Sequence, residues 1–416
     1  MILVLFTKSF PYDAAAEHTF IQRELPYLKE VFDRVILIPK TCHGKKLALD
    51  SSVELDEDYS TFLKRNSKFT GLIFHAIISH HLYQELLSRP EIILFPFKFL
   101  KLLKFSSYAE ITRRWIRDWL KNLPAKKDEI VLYTYWFEDI TTGLALGKQL
   151  YPQIRLTSRA HGYDIYEEQY FPYYWPLRRQ TLAKLNKLFL VSQDGRDYFR
   201  NHYPQFQDLF ETAHLGFEEP GFITRASADR VFRIVSCSHI VPLKRIDLLL
   251  EGIESAARLR PEQKFEWHHF GDGWARSRLQ KLVKNKFRDN ALGYLPGSVP
   301  NQDVLRHYRE NPVDVFINMS TTEGASVAMM EAISCGIPVI ATNVGGNPEI
   351  VSERNGILLN PDPTPQDIAE AIFTLLDNPE MAAIKRKGSR AVWMERYNAE
   401  VNFRAFAERL KSIGER

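Results

Sequence analysis

Two glutamates eight residues apart, Glu323 and Glu331, stand out in the stretch STTEGASVAMMEAISCGIPVIATNVGGNPEIV over 320–351. Each carboxylate can accept paired hydroxyl hydrogen bonds, which is what a sugar or a ribose offers. If both lie on one helix, eight residues span about 12 Å along its axis, comparable to the reach from a donor sugar to a ribose. The stretch follows an apolar run, turns over 321–325, and then reads as a helix that Gly336 and Pro338 end. Strand, small-residue turn and helix form an anion-binding layout. The N–H groups of Gly324, Ala325 and Ser326 would point at the loop mouth, where the helix dipole adds roughly half a positive charge. A diphosphate could sit there. Taken singly, Glu323 reads first as a helix cap and Glu331 as the partner of a surface lysine. His161 and Asp164 follow another apolar run, and a lone histidine is commonly a satisfied core or surface residue. Gly271, Asp272 and Gly273 make an ordinary turn after a strand.

These residues need elements to hold them. Short apolar runs alternate with helix-length segments almost throughout, which predicts an α/β chain with parallel sheets and helices on both faces. The runs at 2–7, 34–39, 129–136, 154–162 and 184–193 form a first series, and those at 231–240, 264–273, 290–297, 313–320, 337–342 and 356–361 a second. Turn residues over 214–230 break the pattern. The expected domains are therefore 1–215, a linker 216–230, a second doubly wound domain 231–395, and a closing helix 396–416 that packs back towards the first. In such sheets ligands bind beyond the carboxyl ends of the strands, so two facing domains would place donor and acceptor across one cleft.

With its surroundings, the 320–351 stretch resembles the retaining GT-B glycosyltransferases of family four, the group 1 glycosyltransferases. Their pattern is a Glu, seven residues, a second Glu, then AxxxGxPVIAxxxGGxPEIV. This sequence supplies it as Glu323, Glu331, Ala332, Gly336, Pro338 to Ala341, Gly345, Gly346 and Pro348 to Val351. The resemblance implies two Rossmann-like domains, with Glu323 contacting donor-sugar hydroxyls and Glu331 the nucleotide ribose. VSCSHIVPLKRIDLLLEGI over 235–253 resembles the loop and helix that bring a lysine to the donor phosphates, and Lys244 falls on that position. A cation there would offset charge on the leaving diphosphate. RAHGYDIY over 159–166 matches the motif that makes His161 a residue touching the donor sugar or orienting the reacting carbon. By the same resemblance Gly271 and Gly273 line the nucleotide pocket, and Leu295, within LGYLPG over 292–297, lies in the segment whose backbone recognises the base. Where many relatives have an arginine five places before the lysine this chain has His239, so His239 or Arg245 is the expected second phosphate clamp. The opening loop over 9–25 lacks the usual paired glycines and resembles instead a variant, carrying Glu17, Thr19 and Phe20, found among members that build surface polysaccharide.

The reaction so implied transfers a sugar from a UDP- or GDP-linked donor, with retention of configuration, to a glycan or lipid-linked acceptor in surface polysaccharide or lipopolysaccharide synthesis. A double displacement would need Glu323 or Asp164 as nucleophile. A sugar-nucleotide epimerase of similar architecture and a non-catalytic nucleotide-sugar binder are the other readings. No cofactor and no catalytic metal are expected. The acidic run at 56–58 lies in a polar loop without histidine, and Cys42, Cys237 and Cys335 are too far apart for a metal pair.

The formal charge of +4 hides an asymmetry: residues 61–127 carry thirteen Lys/Arg against four Asp/Glu, which points to an anionic partner there, membrane phospholipid or a phosphorylated acceptor, and no nucleic acid is expected. Within that block FPFKFLKLLKF, 95–105, places Lys98, Lys101 and Lys104 on one third of a helix and Phe99, Leu100, Leu102 and Leu103 on most of the rest. Such a helix could lie in an anionic bilayer surface or pack as a core helix with a solvated edge. The opening reads as a strand rather than a signal peptide, and no run reaches the ~18 apolar residues of a membrane span. The expected location is the cytoplasm, at the inner face of the cell membrane.

Overall fold

The structure, a computed structural model, describes residues 1–13 and 17–415. It divides into two compact units, Met1–Ala213 with the final helix from Glu400, and His214–Ala399.

The first unit is built on β1 (Ile2–Thr7), β2 (Arg34–Pro39), β3 (Val53–Leu55), β4 (Ile130–Thr134), β5 (Arg155–Ala160), β6 (Lys187–Leu190) and β7 (Phe210–Thr212), in the order β3-β2-β1-β4-β5-β6-β7. The second has β8 (Val231–Cys237), β9 (Lys264–Phe270), β10 (Ala291–Gly297), β11 (Val315–Asn318), β12 (Val339–Thr342) and β13 (Gly356–Leu359), in the order β10-β9-β8-β11-β12-β13. Neighbours are parallel in both sheets, from Ile2 against Arg34 to Val339 against Gly356. Helices cover both faces, so most of the strand residues are buried, which is why they read as continuous apolar runs rather than alternating ones. The strand order reverses between β1 and β4, and between β8 and β11, and the loops leaving these strands border the natural ligand crevice of each sheet.

The edge strands β3 and β7 have three residues each and carry Glu54, Glu211 and Thr212, too short and polar to stand out as apolar runs. The closing segment is not one helix. Pro379–Val392 passes into a wider turn at Trp393–Tyr397, breaks, and restarts as Ala399–Gly414. Trp393 is fully buried in the second unit, while Phe406, Ala407 and Leu410 complete the core of the first.

The basic segment expected to be amphipathic opens a 27-residue helix, Pro96–Asn122. Its apolar side is not free for a membrane: Leu102 is buried, and Phe99, Leu103 and Phe105 pack with it against Leu82, Ile92 and Tyr174. Of the residues placed on that face, only Leu100 stays largely exposed, at 59%. No helix among the described residues is long and apolar enough to cross a membrane.

Candidate functional site

In the second unit the predicted phosphate and sugar residues converge at the strand-order reversal. Lys244 ends a short turn, Pro242–Lys244, after β8, and Glu323 lies in the loop after β11. Lys244 Nζ donates to Glu323 Oε1 at 2.5 Å, and the same oxygen accepts from Ser320 Oγ at 2.7 Å and Asn318 Nδ2 at 3.2 Å. Burial opposes ionisation of Glu323. The facing ammonium and these donors outweigh it and hold the carboxyl below its usual range. Oε2 has no partner among the described residues, so one carboxylate oxygen is fixed and the other is open.

The paired glycines of the motif explain how Glu323 is held. Gly345 has φ +50°, and a Cβ there would lie 2.1 Å from the Glu323 carbonyl oxygen. The Gly346 N–H donates to that carbonyl at 3.0 Å. Gly345 must be a glycine for the loop after β12 to close onto the Glu323 backbone, and Gly346, at φ −76°, contributes its N–H. The helix Val327–Ser334 then begins behind it. Among the described residues the N–H groups of Gly324, Ala325 and Ser326 make no hydrogen bond, although Gly324 and Ser326 are buried. Unpaired backbone donors in such a place are rare without a ligand to take them.

Glu331 is not a surface residue paired with a lysine. Its side chain is buried, and it accepts a hydrogen bond from Asn301 Nδ2. Asn301 opens the helix Asn301–Glu310, and its sequence signal was only the preceding Pro300. Burial and the Glu331 charge push the neighbouring Cys237 thiol up to about 12, and burial does the same for Cys335. These thiols stay protonated. Gly271 and Gly273 seat the turn after β9 against the loop after β8: a Cβ would meet the Ser238 carbonyl at 1.9 Å and the Ile240 carbonyl at 2.3 Å. Leu295 packs on the core, and its carbonyl accepts from Arg276 Nη2 at 3.0 Å.

The two expected phosphate clamps fare differently. His239 is exposed, and its imidazole makes no hydrogen bond among the described residues. Arg245 is committed to the scaffold. Its guanidinium donates to the carbonyls of Met319 (2.6 Å), Ser320 (3.2 Å) and Pro361 (2.7 Å) and to Asp362 (3.1 Å). Sequence spacing placed Arg245 beside Lys244 but could not reveal these long-range acceptors, and they make it a brace for the loop rather than an anion clamp.

The first unit gathers a second cluster at its own reversal point. The His161 ring lies tilted against those of Tyr135 (4.5 Å) and Trp136 (4.4 Å), and neither ring nitrogen has a hydrogen-bond partner among the described residues. Burial, with Arg159 and Lys8 nearby, drives its pKa well below the ordinary value, so the imidazole is neutral. Asp164 accepts from the N–H groups of His161 (2.7 Å), Gly162 (3.1 Å) and Phe137 (3.0 Å). Fully buried and engaged on both oxygens, it clips the loops after β4 and β5 together and is not placed as a nucleophile.

Sequence reasoning assigned no role to Glu17, Thr19 or Phe20, and residues 14–16 of that loop lie outside the described residues. The buried Glu17 carboxylate accepts from the N–H groups of Lys8 (3.1 Å), Ser9 (2.5 Å) and Phe10 (2.9 Å) and from Trp136 Nε1 (2.6 Å). It thereby fixes the first loop and the indole beside His161. Lys8, unremarked in the sequence, donates to Tyr163 at 2.6 Å and pairs with Glu138 at 3.0 Å. The acidic run at 56–58 is used locally: Asp56 accepts from Trp119 Nε1 at 2.7 Å and Glu57 from Tyr12 at 2.5 Å.

A family model described as glycosyl transferases group 1 matches residues 231–378, all within the second unit. A phosphatidylinositol N-acetylglucosaminyltransferase component from Arabidopsis thaliana is 34% identical over 151 residues, covering 36% of this chain and 31% of that protein. A GDP-mannose-dependent monoacylated alpha-(1-6)-phosphatidylinositol monomannoside mannosyltransferase of Corynebacterium glutamicum is 27% identical over 260 residues, covering 57% of this chain and 65% of that one. The chain thus spans less than two thirds of either relative's length. Sucrose-phosphate synthase from Thermosynechococcus elongatus superposes with a TM-score of 0.69 at 14% identity, over 99% of both chains, which with the two parallel sheets gives a GT-B two-domain fold. Joined to the motif from Glu323 to Val351, the match over residues 231–378 makes the second unit similar to the group 1 glycosyltransferases.

Proposed function

We propose that the protein transfers a sugar from a UDP- or GDP-linked donor to a glycan or lipid-linked acceptor with retention of configuration. The observation that carries this reading is the pairing of a fixed, ionised Glu323 with Lys244 beside three unused N–H groups. Lys244 and the N–H groups of Gly324, Ala325 and Ser326 suit a diphosphate, the open oxygen of Glu323 suits sugar hydroxyls, and Glu331 suits a ribose. As the glycosyl–phosphate bond breaks, its electrons pass to the diphosphate, whose growing charge Lys244 offsets. The acceptor oxygen bonds to the anomeric carbon on the same face and gives its proton to the departing phosphate. In the first unit, the neutral His161 can exchange hydrogen bonds with a hydroxyl but cannot supply a cation. No cofactor or catalytic metal enters this scheme. Activity retained in excess chelator fits it, and loss restored by a divalent ion would overturn that part.

The work proposed for the enzyme is surface polysaccharide or lipopolysaccharide assembly in the cytoplasm, at the inner face of the membrane. Both relatives' names specify phosphatidylinositol-based substrates, which supports a lipid-linked acceptor. A thermal-shift and turnover panel of UDP- and GDP-sugars, on the wild type and Glu331→Ala, tests the donor site. Stabilisation by one nucleotide family that the variant loses is the expected result. No stabilisation by any donor, or interconversion of the donor without transfer, would count against the proposal.

A further inference from the structure

The apolar side chains that the first unit leaves in solvent are concentrated in one sequence region. On the helix Phe69–Ile77, Phe69, Ile73 and Ile77 stand one turn apart and are 77%, 46% and 59% exposed, so this helix turns an apolar face outward. The adjoining helix His80–Ser88 exposes Leu87, and the turn Pro90–Leu94 exposes Ile93 and Leu94. Phe95 and Phe97 follow at the mouth of the long helix, and the Phe97 ring meets that of Phe171 at 5.1 Å, extending the surface to a second loop. Soluble surfaces rarely gather this many large apolar groups without a partner.

Charge identifies the partner. Lys64, Arg65, Lys68, Lys98, Lys101 and Lys104 come from the same stretch, and none has a carboxylate partner among the described residues. Between 68 and 105 only Glu85 and Glu91 are acidic, and Glu85 is buried. Lys98 lies against the apolar groups, 5.1 Å from the Phe95 ring. A protein partner would be expected to answer such cations with carboxylates. An anionic bilayer answers them with phosphate and takes the apolar groups into its acyl boundary.

We propose that this composite surface, made of the helices Phe69–Ile77 and His80–Ser88, the turn Pro90–Leu94, the first turn of the long helix and Phe171, docks on anionic phospholipid. It differs from the face first expected within 95–105, whose Phe99, Leu102 and Leu103 serve the core. The inference stands on this surface alone and is independent of the donor site.

Flotation of the full chain with phosphatidylcholine vesicles, with and without phosphatidylglycerol, tests it. Binding at low salt to the anionic vesicles only is expected. The pair Leu94→Glu with Phe97→Glu should lower the partition coefficient at least about tenfold, and Lys64→Gln, Lys68→Gln, Lys98→Gln and Lys104→Gln together by about fivefold per lysine. Ile384→Glu, at an equally exposed site in the second unit, should leave it unchanged. Hydrogen exchange in peptides of the first unit should match the wild type and shows that each variant is folded, and nucleotide-sugar stabilisation, measured on every variant, should persist, so failure at the membrane and failure at the donor site are separate results. Absence of wild-type flotation, equal binding to neutral vesicles, equal binding by the Leu94/Phe97 pair, or self-association through the surface in place of vesicle binding would each overturn the proposal.

Discussion

Replacing Lys244 with methionine keeps the length of the side chain and removes the ammonium that faces Glu323. The pair is mostly buried, with side-chain exposures of 24% and 10%. Stripping one partner from a buried pair costs about 3–5 kcal/mol. Here Ser320 and Asn318 still donate to the carboxylate, so about 2–3 kcal/mol is expected at pH 7. The pH dependence carries the sharper test. In the wild type the folded carboxyl titrates below its unfolded value, so its stabilisation is present above the unfolded pKa and is lost as pH falls through the folded one. Without Lys244 only Ser320 and Asn318 oppose the burial, so the folded pKa moves up and the carboxyl loses stabilisation above the unfolded pKa. The gap between wild type and Lys244→Met should therefore be widest near pH 7 and shrink below about pH 4. Denaturant-dependent hydrogen exchange in peptides of the second unit measures it. Combined with Glu323→Gln in a double-mutant cycle, it should give a coupling of about 2 kcal/mol. Additivity within about 0.5 kcal/mol, or a gap independent of pH, would refute the account of how Glu323 is held.

Gly345→Ala should weaken donor binding at least about thirtyfold, read by calorimetry, since left-handed backbone strain of about 1–2 kcal/mol adds to a clash with the Glu323 carbonyl that has nowhere to move. Asp164→Ala strands three backbone N–H groups and should cost about 2–4 kcal/mol in the first unit, whereas Asp164→Asn should cost less because its carbonyl oxygen still accepts; equal losses would contradict the clip. In the native protein a thiol reagent at pH 8 should modify Cys42 rapidly, the half-buried Cys237 slowly and Cys335 only on unfolding, and fast reaction of more than one thiol would contradict these environments.

The donor-side motif was legible because its chemistry is local. Glu323, the small turn, the helix and the glycine pair lie within one stretch, and their spacing reports a loop that must close on its own backbone. The strands were legible for the same reason, since parallel strands covered on both faces leave unbroken apolar runs. Contacts that cross the sequence were not. Nothing in the string ties Arg245 to carbonyls at 319, 320 and 361, Asn301 to Glu331, or Glu17 to the indole of Trp136. The helix at 95–105 kept two readings open for a related reason: its periodicity identifies two faces but not which of them meets Leu82 and Tyr174.

The return of the final helix to the first unit sets an order of assembly. Phe406, Ala407 and Leu410 supply part of a core whose strands are synthesised at the other end of the chain. On the ribosome, His214–Ala399 is complete and can fold while the earlier unit still lacks its last layer. The half made first is finished last. A fragment of residues 214–399 should therefore express as an independent domain, whereas residues 1–213 alone would hold an open apolar face until the closing helix is supplied, in cis or as a separate peptide.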